Sequence, residues 1–317
     1  MPGTSDHLVG IILAGGDGRR LQRLIRVRYR SDRPKQYCAF IGTRSMLRHT
    51  IDRAERVIAP QRLLTIVNYQ HLPYAREQLR DRPSGTVIVQ PCNRETVPGL
   101  LLPLLHVYHR DPDATVAVFP SDHFVLKDER FVACVEDAAA FVAQSPGLLV
   151  LVGVDPDRPE AEYGWIEPGE KIRSQQGEQL YHVKRFVEKP DIPTAETLYL
   201  KGCLWNTLVL VGRTETLLEL AQALTPEVFR AFERVRTVLG SPQEENTVAD
   251  VYATLPTLNF SRAILERSAP RLRVLRCKGV YWSDWGDEER IRLDLSRFGL
   301  QPCESAARHD IISPTES

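Results

Sequence analysis

The sequence predicts an α/β fold: a Rossmann-like, mixed but mostly parallel sheet with helices on both faces. Continuous apolar runs of four to six residues recur along the first half of the chain. Longer segments, in which apolar residues recur at helical spacing, separate these runs. Uninterrupted apolar strands are typical of parallel sheets covered on both faces, and alternation of strands with helices is typical of doubly wound folds.

The elements of the first half follow from these patterns. Strands are predicted at residues 8–13, 63–67, 86–89, 115–120 and 148–153. Helices are predicted at residues 46–58, 73–79, 98–109 and 131–142. Ser45 is placed to cap the first helix, because its hydroxyl can accept a hydrogen bond from the first turn. Right-handed crossovers would bring the carboxyl ends of the strands, and any ligand, to one edge of the sheet.

The pattern changes after residue 154. A turn-rich segment precedes two predicted strands, 163–166 and 180–187, which flank a polar hairpin; a strand at 208–211, mostly helical segments over 214–266 and a strand at 272–275 follow. We therefore expect one domain over residues 1–298, with halves 1–155 and 156–298. Residues 299–317 form a polar tail, which we expect to be loosely ordered.

Charge and composition argue against two classes of partner. The 317 residues include 41 basic and 41 acidic side chains, so the formal net charge is zero. No overall field favours a nucleic acid or an anionic membrane, and neither partner is expected. The basic residues are nevertheless concentrated between Arg19 and Lys35, a run that is typical of a solvated loop but directly follows a glycine turn. This position favours a phosphate site.

The cysteine pattern indicates a reducing compartment. The six cysteines are far apart in sequence and form neither a CxxC pair nor a cluster with zinc-ligand spacing. No signal peptide is recognised at the start of the sequence, and the apolar run at residues 8–14 is too short to span a bilayer. We therefore expect a cytoplasmic protein; the sequence leaves a monomer and a homodimer both open.

The first candidate site is the glycine turn after the first strand. Gly15, Gly16 and Gly18 let the backbone approach a ligand closely, and their N–H groups can hold phosphate oxygens. The turn matches no dinucleotide fingerprint, since Leu21 stands where the last glycine would be, and it lacks the GK[ST] of a P-loop. The cations Arg20 and Lys35 favour a phosphate site over a plain tight turn.

Two carboxylates are candidates for a magnesium site. Asp122 follows the strand at 115–120, and Asp284 lies between two tryptophans before a charged helix. Each can equally be the cap of a turn or helix, and His123 is more typical of a hydrogen-bonding neighbour than of a ligand. If the fold brings both carboxylates together, they offer the oxygen ligands that magnesium prefers.

Four further segments are suited to a nucleotide or a sugar. Amide and hydroxyl groups in residues 90–99 can bind a base and its ribose, although Asn93 or Thr96 can also be an ordinary helix cap. Gly164 would admit a sugar ring close to the backbone. The segments at residues 188–189 and 205–206 add a carboxylate, an ammonium group and an amide.

In this order, the motifs resemble the sugar-1-phosphate nucleotidyltransferases over about residues 9–291, most of all those that join GTP to mannose 1-phosphate. The GGxGxRL motif is residues 15–21, NRxTxP is 93–98 and PSDH is 120–123; the RPK, EYG, VEKP, WN and WSDxG motifs are also present. The resemblance implies a glycosyltransferase-A-like fold, with a nucleotide-binding half at 1–155 and a sugar-phosphate half at 156–298.

The resemblance also implies the roles of the site residues. Arg20 and Lys35 would be catalytic, and Mg²⁺ would bind Asp122, Asp284 and phosphate oxygens. The nucleotide would contact Leu13, Ala14, Gly15, Gly16, Gly18, Gln90, Asn93, Thr96 and Asp122. The sugar phosphate would contact Gly164, Glu188, Lys189 and Asn206.

Several positions depart from the family pattern. Arg23 and Ile25 replace a usual proline and threonine, and Leu208 replaces the glycine that follows the WN motif. Ser261 stands where an acid is common, and Pro103 should kink the helix that follows the base segment. The alternatives left open are the same reaction with another nucleotide or sugar, such as a heptose or glucose phosphate, and a non-catalytic relative that binds a nucleotide-sugar and regulates a partner.

Overall fold

A nine-stranded sheet with helices on both faces forms the centre of the protein. The computed structural model describes residues 7–172 and 179–303. The strands are β1 (Leu8–Ala14), β2 (Leu63–Asn68), β3 (Val87–Gln90), β4 (Thr115–Pro120), β5 (Phe124–Leu126), β6 (Leu149–Val154), β7 (Gly164–Ile172), β8 (Leu180–Glu188), β9 (Leu204–Arg213), β10 (Leu272–Arg276) and β11 (Tyr281–Ser283).

The principal helices alternate with these strands in the first half and cluster in the second. They are α1 (Gln22–Tyr29), α2 (Met46–Ala54), α3 (Leu72–Gln78), α4 (Thr96–Arg110), α5 (Asp128–Gln144), α6 (Ile192–Leu200), α7 (Thr214–Leu224), α8 (Pro226–Arg236), α9 (Glu244–Thr254), α10 (Phe260–Ala263) and α11 (Glu288–Arg297). No helix in the described part of the chain is long and apolar enough to cross a bilayer.

The sheet has the order β3-β2-β1-β4-β9-β6-β10-β8-β7, and the predicted mixed α/β fold is confirmed. Strands β1 to β4 pair in parallel, and so do β6 and β10. Strand β9 lies antiparallel between β4 and β6, and the remaining pairings are also antiparallel. Because β9 comes from the second half, both halves contribute to one continuous sheet.

Two cores cover the two faces of the sheet. On one face α4, α7, α8 and α9 pack against residues such as Ile11, Leu64 and Val118. On the other face α2 and α5 pack against alternate residues of the same strands, such as Ile12 and Phe119. Burial on both faces explains why these strands are continuous apolar runs.

A third, smaller core lies under the carboxyl edge of the sheet. It joins α1, α11 and the two-stranded sheet of β5 and β11, and its members are Leu21, Ile25, Cys38, Phe40, Met46, Phe124, Trp285 and Ile291. The ring of Trp285 stacks on that of Phe124, with centroids 4.4 Å apart. This core therefore fixes the backbone on both sides of Asp284.

The basic run differs from its prediction. Residues 22–29 form helix α1 rather than a solvated loop, since Ile25 is fully buried in the third core while Val27 faces solvent. Arginines cover the exposed face of this helix, and one of them, Arg26, pairs with Asp32. Only one side chain of the helix is buried, so apolar residues do not recur along it often enough for a helix to be predicted from the sequence.

Other boundaries differ slightly from expectation. Helix α2 ends at Ala54, four residues early, while the predicted Ser45 cap is confirmed because Ser45 Oγ accepts from Arg48 N at 3.2 Å. Helix α4 continues through Pro103 as one element. At the tail, Cys303 N donates to Phe40 O at 3.1 Å. The rest of the predicted loose tail and the centre of the predicted hairpin lie outside the described residues.

Helix α1 gives a stability test with an internal control. We expect Ile25→Ala to lower the free energy of unfolding by about 2–4 kcal/mol, because it leaves a cavity in the third core. Val27→Ala, two residues away and 79% exposed, should change it by less than about 0.5 kcal/mol. Urea unfolding of both variants measures the difference, and equal effects would contradict the buried position of Ile25.

Candidate active site

A cleft of about 560 Å³ opens at the carboxyl ends of β1 and β3. Its lining includes seven of the residues predicted to bind a nucleotide, namely Leu13, Gly15, Gly16, Gly18, Gln90, Asn93 and Thr96. The sheet brings them together because parallel strands end at a common edge. Ala14 is fully buried and does not line the cleft.

The glycine loop approaches its neighbours too closely for larger residues. A Cβ on Gly15 would lie 2.3 Å from Gln90 Nε2. Gly18 has a φ of +60°, and a Cβ there would lie 2.9 Å from Lys35 N. Gly18 is therefore required by its positive φ and by its contact with the Lys35 backbone, whereas Gly15 leaves space that the Gln90 amide occupies.

Gln36 holds this loop, a role that the sequence analysis missed. Its Nε2 donates to Ala14 O at 2.9 Å and to Gly16 O at 2.8 Å. These bonds occupy two carbonyl groups of the loop. Ala14 thus supports the loop through its carbonyl group rather than by touching the cleft. The adjacency of Gln36 to Lys35 was the only signal in the sequence.

The segment before α4 is arranged differently from an ordinary helix cap. The N-cap residue is Glu95, without a side-chain cap bond. Asn93 Oδ1 accepts from Glu95 N at 2.9 Å, and Thr96 Oγ1 accepts from Phe260 N at 2.7 Å. The capping alternative for Asn93 and Thr96 is therefore wrong, because both side chains brace loops around the cleft.

Lys35 joins the two predicted metal carboxylates. Its ammonium group is buried, lies 3.1 Å from Asp122 Oδ2 and also donates to the carbonyl oxygen of Asp284. Arg20 Nη2 lies 2.9 Å from Asp284 Oδ2. The structure therefore brings together all four residues that the resemblance assigned to catalysis and metal binding.

Both carboxylates are held in the ionised form. Burial opposes the ionisation of Asp122, but the charge of Lys35 and its hydrogen bond outweigh burial and lower the pKa. Burial likewise opposes ionisation of Asp284, where Lys35 and Arg20 lower the pKa to about 2. Two anions close together would repel each other, and the two cations offset that repulsion.

The second carboxylate oxygen of Asp284 is fixed by the protein. Oδ1 accepts from Tyr163 OH at 2.8 Å and from Gly286 N at 2.9 Å. Arg290 donates to the same tyrosine hydroxyl and stacks over its ring. The alternative that Asp284 caps α11 is wrong, since Asp287 Oδ1 accepts from Arg290 N at 2.8 Å. Oδ2 consequently faces Arg20.

His123 is a hydrogen-bonding neighbour, as expected. Its Nδ1 lies 3.3 Å from Trp282 Nε1, which can only donate, so Nδ1 accepts. Burial lowers the pKa of His123 to about 4, and Asp122 opposes this shift only in part. The imidazole is neutral near pH 7 and borders Asp122 without adding charge.

The predicted sugar-phosphate residues form a second cluster. A Cβ on Gly164 would lie 2.7 Å from Glu188 Oε2 and 3.3 Å from the Cβ of Asn206, so the three residues adjoin one another. Burial raises the pKa of Glu188, although Lys189 and a hydrogen bond from Ser261 oppose it. The serine that replaces a common acid thus supports this carboxylate.

Glu162 connects the two clusters and was not among the predicted site residues. Its Oε2 lies 3.5 Å from Arg20 Nη1 and 3.7 Å from Lys189 Nζ. All three side chains are substantially exposed, so the pairs are weak and open to exchange with an anionic ligand. The signal for Glu162 was its place in the EYG motif.

Leu208 occupies a glycine-like position. Its φ is +56°, and its N–H donates to Asn206 Oδ1 at 3.2 Å. The pairing of β6 with β9 shifts register here, between Leu151 and Gly153. Left-handed backbone favours glycine, which explains why glycine is usual at this position. In this chain a leucine stands there, two residues after Asn206.

The donor set fits a metal ion that is shared with a ligand. Within residues 7–172 and 179–303, no group of three or more His, Cys, Asp and Glu side chains forms a metal cage. Asp122 and Asp284 supply two ionised carboxylates beside the cations Arg20 and Lys35. Magnesium typically binds through one or two carboxylates together with substrate phosphates, and the pair meets this requirement.

The chain belongs to the nucleotidyl transferase family, whose sequence profile matches residues 9–292. It is similar to mannose-1-phosphate guanylyltransferase 2 of Escherichia coli O157:H7, with 32% identity over 236 residues that cover 72% of this chain and 48% of the relative. It is 31% identical to mannose-1-phosphate guanylyltransferase of Escherichia coli K12, over 89% of this chain and 59% of the relative. The chain therefore spans about half to three fifths of these relatives.

A solved structure supports the same fold. A structure from Thermus thermophilus, described as a mannose-1-phosphate geranyltransferase, superposes with a TM-score of 0.76 and 29% identity. The match covers 90% of this chain and 79% of that one. The resemblance inferred from the motifs is confirmed. Nucleotidyl transferases generally use a divalent metal ion, in agreement with the paired carboxylates.

Gly286 provides a test of the Arg20–Asp284 contact. A Cβ on Gly286 would lie 2.7 Å from Arg20 Nη1 and 2.7 Å from Asp284 Oδ2. We expect Gly286→Ala to displace the pair and lower nucleotidyl transfer by about 10²-fold, as for other misplaced catalytic groups, with little change in the melting temperature. Gly147→Ala, where the nearest atom is 3.9 Å away, is the control and should keep full activity. Unchanged turnover in Gly286→Ala would contradict the need for this contact.

Proposed function

We propose that this chain transfers GMP from GTP to mannose 1-phosphate, giving GDP-mannose and pyrophosphate. The observation that carries the proposal is the convergence of Arg20, Lys35, Asp122 and Asp284 beside a glycine-lined cleft. Relatives that bear the name of this activity match most of the chain, which supports the choice of substrates.

The glycine loop and the cation pair suit a triphosphate. In the proposed complex the phosphates lie along Gly15, Gly16 and Gly18, whose N–H groups hold the oxygens. Arg20 and Lys35 then balance the negative charge that grows on the phosphates as the reaction proceeds. Both cations are already held by carboxylates, so they need little rearrangement when a nucleotide binds.

The second cluster suits a sugar phosphate. Glu188 and Asn206 adjoin Gly164, and their side chains offer acceptors and donors to the hydroxyl groups of a sugar. Lys189 then pairs with the phosphate group of the sugar phosphate instead of with Glu162. A phosphate oxygen of the sugar phosphate then forms a bond to the α-phosphorus of GTP. The bond between the α-phosphorus and the oxygen that joins the α- and β-phosphates breaks. Pyrophosphate leaves with the electron pair of that bond.

No general base is required in this scheme. The attacking phosphate oxygen is already ionised near pH 7, so the protein's contribution is alignment and charge stabilisation. Asp122 and Asp284 would hold Mg²⁺. When bound, the ion would neutralise phosphate charge as a Lewis acid.

A second candidate substrate is the 1-phosphate of another sugar, such as a heptose or glucose. Leu208 favours this alternative, because it stands two residues after Asn206, with its N–H bonded to the Asn206 side chain, where the related enzymes usually have glycine. The reaction would be the same, and only the fit of the sugar ring would change.

A matrix of substrates tests the proposal. Pyrophosphate release is measured for four nucleoside triphosphates against mannose, glucose and heptose 1-phosphates, with Mg²⁺ and with chelator. We expect metal-dependent turnover that is largest for GTP with mannose 1-phosphate. If turnover is largest with another pair, that pair replaces GTP and mannose 1-phosphate as the proposed substrates. No turnover in any combination would overturn the proposal in favour of a binding role.

The carboxylate assignment has a matched control. Asp122→Asn and Asp284→Asn should each lower kcat by at least about 10²-fold, because each variant loses an anionic ligand of the Mg²⁺ that would balance the phosphate charge. Asp128 pairs with buried Arg53 at 2.7 Å and has nearly the exposure of Asp122, 31% against 33%. Asp128→Asn should keep near-normal kcat. Equal losses in all three variants would indicate a structural effect instead.

Lys189 distinguishes the two substrate sites. We expect Lys189→Ala to weaken the binding of sugar 1-phosphate about tenfold or more and to leave GTP affinity within about threefold, because the lost charge lies in the second cluster. Calorimetry with each ligand measures both. Lys184, which lies on strand β8 just before Lys189 and pairs with Glu167, is the control for removing a lysine. Equal weakening of both ligands would contradict the assignment.

A further inference from the structure

Glu95 has a backbone conformation that only glycine adopts readily. Its φ is +66° and its ψ is −170°. This region costs a residue with a side chain on the order of 1–3 kcal/mol, and such residues cluster at binding sites. Nothing in the sequence marks this position, since the notable residues around it are Asn93 and Thr96.

The neighbours of Glu95 hold it in this conformation. Asn93 Oδ1 accepts from Glu95 N at 2.9 Å. On one side, Arg94 Nε donates to Tyr252 O at 3.0 Å, and Arg94 O accepts from Leu258 N at 3.1 Å. On the other side, Val97 N donates to Leu258 O at 2.9 Å. Because hydrogen bonds hold the chain on both sides, the backbone at Glu95 cannot relax to an unstrained conformation.

Glu95 lines the cleft. Glu95 is exposed there, beside Gln90, Thr96 and Thr257. Its carboxylate has no hydrogen-bond or ion-pair partner among the described residues, whereas the other carboxylates of the site are paired. An unpaired acceptor with two oxygens, held at a cost in backbone energy, points to a ligand that donates two hydrogen bonds.

The position in the cleft excludes the phosphates as that ligand. A carboxylate repels phosphate oxygens, and the glycine loop with Arg19 forms the part of the lining that suits them. Elsewhere the wall of the cleft includes the apolar side chains Leu13 and Ile66, against which a flat base can stack. The base of the nucleotide is therefore the part that reaches Glu95.

Guanine alone among the common bases presents two adjacent donors to a carboxylate. Its N1–H and its exocyclic N2 amine lie side by side and match the two oxygens. The other bases place an acceptor next to their donor, which a carboxylate opposes. We propose that Glu95 binds the N1–H and N2 amine of guanine and thereby selects GTP; this inference rests on the proposed function.

Nucleotide analogues test each hydrogen bond. Inosine triphosphate keeps N1–H and lacks the N2 amine. The wild-type protein should therefore prefer GTP to inosine triphosphate by about 10- to 100-fold in kcat/KM, the range of a hydrogen bond to a charged group. In Glu95→Gln the preference should fall to within about threefold, mainly through loss with GTP. Glu136→Gln, on the exposed face of α5, is the charge-matched control and should keep the wild-type preference.

Glu95→Gly adds a readout that a purely structural role would not give. The strained backbone becomes acceptable, so we expect the melting temperature to stay the same or rise while GTP selectivity is lost. A fall in both stability and activity would indicate that Glu95 only supports the loop. Calorimetry with GTP and inosine triphosphate repeats the comparison without turnover.

The outcomes separate the two proposals. Unchanged GTP selectivity in Glu95→Gln, in a protein that transfers GMP, would overturn the role of Glu95 alone. If instead Glu95→Gln loses discrimination between GTP and 2′-deoxy-GTP, the carboxylate binds the ribose and the base assignment is wrong. Selective GTP binding without turnover would support Glu95 while overturning the transferase. No nucleotide binding by the wild type would overturn both.

Discussion

The contact of the buried Lys35 ammonium with Asp122 and with the backbone of Asp284 is the constraint on which the site depends. Burying a charge is costly unless partners with good geometry satisfy it. Here the partners come from the end of β4 and from the loop after β11, which are distant in sequence. The same lysine packs against Gly18. Lys35 thus contacts the glycine loop through its backbone and Cβ, while its ammonium group links the Asp122 carboxylate to the backbone of Asp284. Moving either aspartate would leave a buried charge poorly satisfied.

Cations and anions alternate outward from this contact. Asp284 is paired with Arg20, and Arg20 and Lys189 share Glu162. The network is therefore neutralised by its own side chains before a substrate arrives. In the proposed function, binding exchanges carboxylates for phosphates at the exposed pairs and leaves the buried pairs in place. Tyr163 and Gly286 fix the other oxygen of Asp284, so this exchange need not turn the carboxylate.

The sequence predicted the parts of the fold that depend on local patterns and missed those that depend on distant partners. The strands of the first half are continuous apolar runs because both of their faces are covered, and that pattern is visible residue by residue. The antiparallel position of β9 between β4 and β6 has no corresponding pattern in the sequence. Helix α1 was missed because arginines surround its one buried residue, Ile25. The motifs identified Arg20 and Lys35, whereas Gly286 matters only through a close contact that the fold creates.

Strained backbone conformations are concentrated around this site. Of the six non-glycine residues with positive φ in the described part of the chain, four belong to the site: Lys189, Leu208 and Trp285 adjoin the two clusters, and Glu95 lines the cleft. Each is tied by its neighbours, as Trp285 is by stacking on Phe124. Glycine would relax all four positions, so the side chains present there are retained against a cost in stability. For Trp285 the third core supplies the compensation. For Glu95 the hydrogen bonds of Asn93, Arg94 and Val97 supply it. The Glu95 carboxylate itself has no partner among the described residues, and it is the group that we propose binds the base.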